Sequence, residues 1–236
     1  MRNKVVEIKN VLLFNGALTE VKDGPEALPK IVMVSGEPGT GKTTTLQSSA
    51  CDHNAVYVRM VAVVTIASLL ESLCFELGVD GGRRNSERLK WIVDTLKHDP
   101  RPIFIDEADF LTRDSRMLET IRDIHDLAKV PVVLIGMDGM ERKLAHHMQF
   151  SGRISQRVDF KRCDLEDAGL LTRELCEVEV APDLVKRMHS KTRGSIRGII
   201  VALAQFERFA RGHRWKTLNA EQWGDRAMFS GDRVVA

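Results

Sequence analysis

Several features that are common in other protein classes are scarce in this sequence of 236 residues. It contains four cysteines, Cys51, Cys74, Cys163 and Cys176, and no two of them form a C-x-x-C pair. Neither a zinc ribbon nor a disulfide framework is therefore indicated. Widely spaced cysteines are typical of proteins from a reducing cytosol, where they act as small buried hydrophobic residues.

Long apolar segments and targeting signals are lacking as well. The longest apolar-rich run, MVAVVTIASLL at 60–70, is too short to span a bilayer. The first ten residues contain no apolar region of the signal-peptide type. The net charge is only +2, so the chain has no basic stripe like that of a nucleic-acid coat protein. These absences predict a cytoplasmic protein in which any DNA binding comes from local patches or from many copies acting together.

Hydrophobic periodicity divides the chain into two parts near residue 162. Before this point, short β-branched runs alternate with helical patterns, and the first 30 residues are interpreted as a polar segment that ends in a Gly/Pro-rich loop. This alternation predicts an α/β fold in which a parallel sheet is covered by helices on both faces. After this point three helical stretches follow without a strand, with Asp164 as a helix N-cap and Pro182 in a first helical turn. We therefore predict an α/β core at 1–162, a small all-α domain at 163–212 and a C-terminal tail at 213–236.

The segment GEPGTGKT at 36–43 matches the phosphate-binding pattern G-x-x-x-x-G-K-[ST] at every fixed position. It follows a predicted strand and begins a predicted helix, which is the context that the pattern requires. We expect backbone N–H groups to surround the phosphates of ATP, Lys42 to reach the β- and γ-phosphates, and the Thr43 hydroxyl to bind Mg²⁺. The nucleotide-binding residues predicted here are Gly36, Glu37, Pro38, Gly39, Thr40, Gly41, Lys42, Thr43 and Thr44.

A second acidic motif, PIFIDE, ends another predicted strand with Asp106 and Glu107. Carboxyl ends of parallel strands lie at one edge of a sheet, so this pair is expected beside the phosphate-binding loop. We predict that Asp106 binds Mg²⁺ together with Thr43, and that Glu107 orients and activates the attacking water.

Phosphoryl transfer also requires a cation at the developing charge, and an arginine there is worth roughly 10³–10⁵ in rate. The segment SGRISQR, between the fourth strand and the helical domain, offers Arg153 and Arg157. Arg153 is predicted to point into the nucleotide of a neighbouring subunit, with Arg157 as the alternative. Arg197, at the start of the third helical stretch, is predicted to reach the γ-phosphate of its own chain when the helical domain closes.

This order of motifs resembles that of AAA+ ATPases, over roughly residues 5–212. The resemblance implies a P-loop AAA+ core followed by a helical lid, with ATP and Mg²⁺ as cofactors. It assigns the Walker A motif to 36–43, the Walker B motif to 103–107, the arginine finger to Arg153 and sensor 2 to Arg197. It also implies that Asn10 and Val11, which precede the core strand, contribute to the adenine pocket.

One position departs from the family pattern. The tip of the fourth strand usually carries a polar sensor 1 residue, whereas this chain has Met137 followed by Asp138. Either Asp138 serves in that role or sensor 1 is absent. In both cases we expect intrinsic hydrolysis to be slow.

The stretch IFIDEADFL spells the signature of a large helicase family, and that interpretation is rejected. Such a helicase needs two RecA-like domains, roughly 350 residues or more at about 150 per domain plus linkers, and a second motif set that this chain lacks. Ala108 is expected to pack against the core, and Asp109 to cap the next segment or face water.

The run at 101–144 is similar to the ATPase subunits of transposition systems, most of all to the B proteins of Mu-like transposable phages, with IstB, TniB and TnsC as looser relatives. This resemblance implies an ATP-dependent homo-oligomer, a helical filament or ring, on double-stranded DNA. It implies further that the protein delivers target DNA to a DDE transposase, which stimulates ATP hydrolysis. If the protein is phage-encoded, it would act in the cytoplasm of a bacterial host.

Basic loop residues are the candidates for DNA contacts in such an assembly: Arg83, Arg84, Arg113 and Arg116. Phosphate contacts of this kind give affinity without sequence preference, and a filament multiplies them. The alternative is a solvated charged face. The basic run at 208–216 is a candidate contact for the transposase.

Two other functions stay open. A nucleotide-switched DNA-binding adaptor with negligible turnover would explain the apolar Met137. A replication initiator or helicase loader would share the motifs, but we expect it to carry a winged-helix domain after the lid, where this sequence has few residues left.

Overall fold

The computed structural model describes residues 1–25, 27–229 and 232, and the contacts among them divide the chain into two compact units. Unit 1 comprises Met1–Leu12, Glu37–Gly41 and the described part of Phe160–Ala236. Unit 2 comprises Lys42–Asp159 and, apart from residue 26, Leu13–Gly36. The helical unit therefore includes the first twelve residues and the described tail, which the predicted boundaries assign elsewhere.

The sheet of unit 2 confirms the predicted parallel α/β arrangement. Its strands have the order β2-β3-β4-β1-β5, and the pairs β1–β4, β2–β3 and β3–β4 are parallel. The strands are β1 (Ile31–Gly36), β2 (Val56–Arg59), β3 (Ile103–Asp106), β4 (Val132–Ile135) and β5 (Ile154–Phe160). All residues of β3 and β4 are buried, as expected for strands covered on both faces.

The helices that accompany this sheet begin with α1, whose first four residues belong to unit 1. They are α1 (Lys9–Asp23), α2 (Lys42–Asp52), α3 (Ile66–Leu77), α4 (Asn85–His98), α5 (Ser115–Ala128), α6 (Met140–Ala145) and α7 (Met148–Ser151). A 3₁₀ helix at Ala108–Arg113 precedes α5. The segment TIASLLESLCFELGV at 65–79 has apolar residues at helical spacing and predicts a helix that ends at Gly78. This end of α3 is confirmed, because Gly78 caps it in the left-handed conformation with φ of 70°.

The structure adds one helix and shortens one strand. The polar first 30 residues, with their apolar patch VLLFNGAL, contain the helix α1, and Phe14, Leu18 and Val21 are buried on it at helical spacing. The run AVYVRMVAVV at 55–64 predicts a ten-residue second strand, which was wrong, because β2 has four residues and the chain leaves the sheet after Arg59.

Unit 1 confirms the three predicted helices but adds a small sheet. The helices are α8 (Leu165–Leu175), α9 (Pro182–Thr192) and α10 (Ile196–Gly212), followed by α11 (Ala220–Trp223). Asp164 caps α8 by accepting the Asp167 N–H, and Pro182 is the first residue of α9. Contrary to the expectation of no strand, β6 (Glu179–Val180) follows α8 and pairs in parallel with β7 (Thr217–Leu218).

Aromatic residues join the described tail to the core of unit 1. The ring of Trp223 lies 4.7 Å from Phe206 and 5.3 Å from Phe209, in edge-to-face geometry. The Arg226 guanidinium lies 4.4 Å from the centre of the Phe209 ring. Such contacts bury a large apolar area and hold the tail on α10.

The cysteines meet the expectation of burial at three of four positions. Cys74, Cys163 and Cys176 are buried, whereas Cys51 is exposed near the end of α2. None of the helices in the described part of the chain combines the length and apolarity that a membrane crossing requires.

His125, in the last turn of α5, is a buried imidazole with a partner at each ring nitrogen. Its Nδ1 lies 2.9 Å from the carbonyl oxygen of Val130, and its Nε2 lies 3.5 Å from the Lys30 N–H. The neutral tautomer with hydrogen on Nδ1 satisfies both contacts, because Nδ1 then donates and Nε2 accepts. Burial lowers the pKa of His125 below its usual 6.5.

We predict a pH-dependent loss of stability from His125. Because its pKa is lowered in the folded state, the unfolded chain takes up the proton first as the pH falls below 6.5. The free energy of unfolding should then fall by at most about 1.4 kcal/mol per pH unit until the folded-state pKa is reached. Urea denaturation of the wild type and His125→Gln from pH 8 to 5 measures this, and the variant should have the smaller slope. The exposed His98→Gln is the control, and equal slopes for wild type and His125→Gln would contradict the assignment.

Candidate nucleotide site

The carboxyl edge of the sheet in unit 2 brings Lys42 together with the two acidic residues of PIFIDE. Gly36 ends β1, Asp106 ends β3, and Lys42 begins α2. The Lys42 Nζ donates to the Gly36 carbonyl oxygen at 2.5 Å. Burial lowers the pKa of Lys42, while the negative charges of Glu107 and Asp106 oppose that shift. The ammonium is therefore partly desolvated and lies within the field of both carboxylates.

Asp106 is almost fully buried, and both of its carboxylate oxygens accept hydrogen bonds. Oδ1 accepts the backbone N–H of Glu107 at 3.0 Å, and Oδ2 accepts the hydroxyl of Tyr57 at 3.0 Å. Burial and the charge of Asp106 raise the pKa of Tyr57 to about 12. Tyr57 is consequently a neutral donor near pH 7 and fixes the orientation of this carboxylate.

Arg59 is a second residue from β2 at the site. Its Nη2 lies 3.4 Å from Oε1 of Glu107, and its Nε lies 3.9 Å from Oδ2 of Asp106. The sequence reasoning missed both β2 residues. The signal was the alternation of strand residues: Tyr57 and Arg59 are two apart and face the same side, and Arg59 pairs in register with Asp106.

Glu107 has a left-handed backbone conformation, with φ of 56° and ψ of 39°. This conformation is uncommon for residues other than glycine and costs on the order of 1–3 kcal/mol. It ends the strand abruptly and begins the 3₁₀ helix directly after Glu107. Strain of this kind concentrates at functional sites, and it is consistent with a role for the Glu107 side chain.

The half-buried Asp109 side chain does not cap the next segment but reaches the turn after β4. Its Oδ2 accepts the backbone N–H of Met137 at 2.6 Å, and its Oδ1 lies 2.9 Å from Nζ of Lys143. Gly136 permits this approach, since a Cβ there would lie 2.5 Å from Oδ2 of Asp109. Asp109 therefore connects the segment after Glu107 to the turn after β4. The charge of Asp138, in that turn, acts on Lys42.

Unit 1 contains the remainder of the glycine-rich segment, Glu37–Gly41. The Thr40 hydroxyl donates to the Glu37 carbonyl oxygen at 2.8 Å and closes the turn. Gly39 has φ of 81°, and a Cβ there would lie 2.8 Å from Oγ of Ser195, the N-cap of α10. The Arg197 N–H donates to the Gly39 carbonyl at 3.4 Å. The start of α10 thus lies against this segment, and the exposed Arg197 is beside it.

Two further residues of unit 1 contact the same segment. The buried Asn10 donates from Nδ2 to the carbonyl oxygens of Thr40 and Lys161, at 3.3 and 2.8 Å, and its Oδ1 accepts the Lys161 N–H. Arg162, which the sequence reasoning missed, pairs with Glu37 at 2.7 Å. These hydrogen bonds of Asn10 therefore hold the glycine-rich segment in place. A role of Asn10 and the buried Val11 in an adenine pocket stays a prediction.

The two finger candidates lie directly before β5 and within it. Arg153 directly precedes β5 and lines the same cavity as Lys30, which directly precedes β1, so it lies at the amino edge of the strands. It is paired with Asp126 of α5. Arg157 lies within β5 and pairs with Glu141 at 3.0 Å.

The four arginines proposed for DNA contact occupy two loops of unit 2. The backbone N–H groups of Arg83 and Arg84 both donate to Oε2 of Glu87 at 3.2 Å. Arg113 lies 4.4 Å over the Phe110 ring, and Arg116 pairs with Asp114 at 3.0 Å. All four side chains belong to exposed residues.

The residues of the site fit ATP and Mg²⁺. A magnesium ion prefers oxygen ligands, which the Thr43 hydroxyl and the Asp106 carboxylate provide in unit 2. The amino end of α2, an eleven-residue helix, follows the glycine-rich segment and favours anions. Lys42 supplies the positive charge for phosphate oxygens. The fold and the motif therefore define the class of the protein: an α/β protein with a P-loop.

Comparison with known proteins specifies the family. A model of the AAA domain matches residues 27–144, half of the chain, and the chain belongs to this family. No curated protein matches the chain in sequence.

Several solved structures share the fold. The chain is similar to ORC2 of Aeropyrum pernix in its ADP form, with a TM-score of 0.70 and 17% identity over 92% of this chain and 67% of that one. It is similar to ORC1 of the same organism in complex with DNA, with a TM-score of 0.64 and 18% identity over 94% and 64%. RuvB of Thermotoga maritima, a Holliday junction branch migration motor, gives 0.60 and 18% over 92% and 67%. At these identities the likeness shows the fold alone, and the chain spans about two thirds of these proteins.

We predict that Tyr57→Phe destabilises the protein by leaving Oδ2 of Asp106 without its hydroxyl donor. Loss of one partner of a buried polar group costs about 1–3 kcal/mol. The free energy of unfolding, from urea denaturation, measures the cost. In an Asp106→Asn background the same change should cost much less, because the buried charge is gone. An equal cost in both backgrounds would contradict the contact.

Proposed function

We propose that this protein is an ATP-hydrolysing, DNA-binding AAA+ protein that assembles on target DNA and delivers it to a DDE transposase. The observation that carries the enzymatic part is the meeting of Lys42, Asp106 and Glu107 at one edge of the sheet. The transposition part rests on the resemblance of residues 101–144 to transposition ATPases.

Each residue has a distinct task in this proposal. Lys42 binds the β- and γ-phosphates, and Thr43 and Asp106 hold Mg²⁺, which when bound neutralises charge on the phosphates. Tyr57 keeps the Asp106 carboxylate oriented. Glu107 accepts a proton from the attacking water and directs its oxygen at the γ-phosphate. The contact of Arg59 with Glu107 holds that carboxylate in place before water binds.

Arg153 acts on the nucleotide of a neighbouring copy. It precedes β5 at the amino edge of the sheet, whereas Lys42 and Asp106 lie at the carboxyl edge. The six residues of β1 span about 20 Å at about 3.3 Å per residue, farther than an arginine side chain reaches. A finger role for Arg153 therefore requires a homo-oligomer, a helical filament or a ring, in which each chain completes the site of the next.

The nucleotide controls assembly in this scheme. With ATP bound, Arg153 of one copy holds the γ-phosphate on the next, and Arg197 of α10, beside Gly39, holds it within its own chain. Hydrolysis removes the group that both arginines bind, so the contact between copies weakens and DNA is released.

DNA contacts come from Arg83, Arg84, Arg113 and Arg116, which are exposed on loops of unit 2. Contacts to phosphates carry little sequence preference and weaken with salt. Arg113 ends the 3₁₀ helix that begins directly after Glu107. DNA binding at this loop therefore shifts the catalytic carboxylate through that short helix.

Slow intrinsic turnover is part of the proposal. Met137 offers no polar side-chain group at the tip of β4, and its N–H is already bound by Asp109. The charge of Asp138 acts on Lys42. Stimulation by DNA or by the transposase would compensate for weak positioning of the water.

Two alternatives have an observation in their favour. Met137 favours an adaptor that binds ATP and DNA with negligible turnover. The fold likeness to ORC and Cdc6 proteins favours a replication initiator or helicase loader. Association with a transposase, and retention on any duplex without origin preference, separates the proposed function from the initiator.

We predict opposite behaviour for two substitutions at the site. Lys42→Ala removes the phosphate-binding cation and should abolish ATP-dependent DNA binding. Glu107→Gln keeps the binding groups and should bind ATP and DNA, but its turnover should fall about 10²–10⁴-fold, the usual contribution of a general base. Filter binding with labelled duplex and an ATPase assay with and without DNA measure both. ATP-dependent DNA binding by Lys42→Ala would refute the site, and wild-type turnover no faster than Glu107→Gln would favour the adaptor.

We predict that the assembly needs both ATP and DNA. Electron microscopy of the purified protein should show filaments with ATP and duplex DNA, and none with either one alone. Raising salt should dissolve them, because phosphate contacts release counterions. Closed rings that form equally well without DNA would contradict the proposed role in transposition.

A further inference from the structure

Arg153 is held by its own chain in one definite orientation. Its Nε lies 2.9 Å from both carboxylate oxygens of Asp126, and its Nη2 lies 2.7 Å from Oδ2. Its Nη1 donates to the carbonyl oxygen of Gln149 at 2.6 Å. The carboxylate thus takes the Nε–Nη2 edge of the guanidinium, which is the strong bidentate geometry.

The remaining donors of Arg153 suit an external phosphate. A guanidinium has five N–H groups, and the contacts to Asp126 and Gln149 use three of them. One N–H on each terminal nitrogen is left without a partner among the residues that the structure describes. These two nitrogens form the other edge of the group, here called its free fork, and each keeps one N–H that can donate to a phosphate oxygen. About a third of the side chain is exposed, at 34%.

The surroundings of Asp126 keep it charged. The hydrogen bonds from Arg153 lower the pKa of Asp126 below its usual value. The charge of Lys129, which lines the same cavity of about 290 Å³ as Asp126, lowers that pKa further. His125, the residue before Asp126, is fixed by Val130 and Lys30, so the backbone that carries the carboxylate is fixed as well.

We propose that Asp126 is the positioning residue for Arg153, holding the guanidinium so that its free fork faces the γ-phosphate bound by a neighbouring copy. The inference rests on the proposed role of Arg153 between subunits and adds the residue on which that role depends. Without Asp126 the long arginine side chain samples several rotamers, and only a fraction of them present the fork. Misplacement of a catalytic group by about 1 Å can cost about 10²-fold in rate.

Oligomers assembled from two different variant chains test whether Asp126 positions Arg153 for the neighbouring site. Arg153→Ala chains keep an intact nucleotide site but offer no finger, and Glu107→Gln chains offer the finger but do not hydrolyse. Mixing the two should restore ATPase activity, because the finger of one chain serves the site of the other. Adding Asp126→Asn to the Glu107→Gln chain should lower the restored kcat about tenfold or more, with KM for ATP little changed. Adding it to the Arg153→Ala chain should leave the restored rate as it was.

The inference predicts a loss only when Asp126→Asn is on the chain that donates the finger. Glu119→Gln, which neutralises an exposed carboxylate on the same helix α5, is the matched control in the finger-donating chain and should keep the rate. An equal loss with Asp126→Asn on either chain would mean a general structural role and would overturn the inference. So would an unchanged rate, or a higher one, with the substitution on the finger-donating chain. If the first mixture restores no activity, the role of Arg153 between subunits fails, and the inference fails with it.

Discussion

A partly desolvated lysine among carboxylates is the constraint on which the arrangement of unit 2 depends. Burial disfavours the Lys42 ammonium and lowers its pKa, and the charges of Glu107, Asp106, Asp109 and Asp138 offset part of that cost. The carboxylates come from the end of β3 and from the turns after β3 and β4. Only a sheet whose strands end at one edge brings such groups to one lysine, so the parallel order of the strands is a requirement of the site as well as of the core.

The four residues at 106–109, whose one-letter codes spell DEAD, have four different structural roles. Asp106 is a buried acceptor held by Tyr57, and Glu107 carries the strained backbone that ends the strand. Ala108 is buried, as expected, and Asp109 binds the Met137 N–H across the turn after β4. The likeness to a helicase signature thus arises because the two residues after the acidic pair, Ala108 and Asp109, are held by packing and by a hydrogen bond within this chain. At the tip of β4, where Met137 has no polar side-chain group, the Asp109 carboxylate accepts the Met137 N–H.

The sequence alone was sufficient to predict those features for which the chemistry requires a particular residue type at a fixed spacing. The glycine-rich segment, the acidic pair and the cap at Gly78 belong to this group. Helix α1 was missed because its Asn, Gly and Thr residues favour a loop, although Phe14 and Leu18 have helical spacing. Tyr57 and Arg59 depend on the register of β2 with β3, and the Arg153–Asp126 pair joins residues 27 positions apart. Such contacts follow from tertiary structure, and no local pattern specifies them.

Helix α5 gives the proposed finger a physical connection to the chain's own site. Its fourteen residues form a rod of about 21 Å at 1.5 Å per residue, with Arg116 in the first turn and Asp126 in the last. The 3₁₀ helix joins its start to Glu107. A packed helix moves as a rigid body rather than by compression, so a shift at its first turn also moves Asp126 and the guanidinium that it holds. If Arg113 and Arg116 contact DNA, binding there moves a chain's own Glu107 together with the Arg153 that this chain offers to its neighbour's nucleotide, which is a direct way for DNA to set the rate of hydrolysis along a filament.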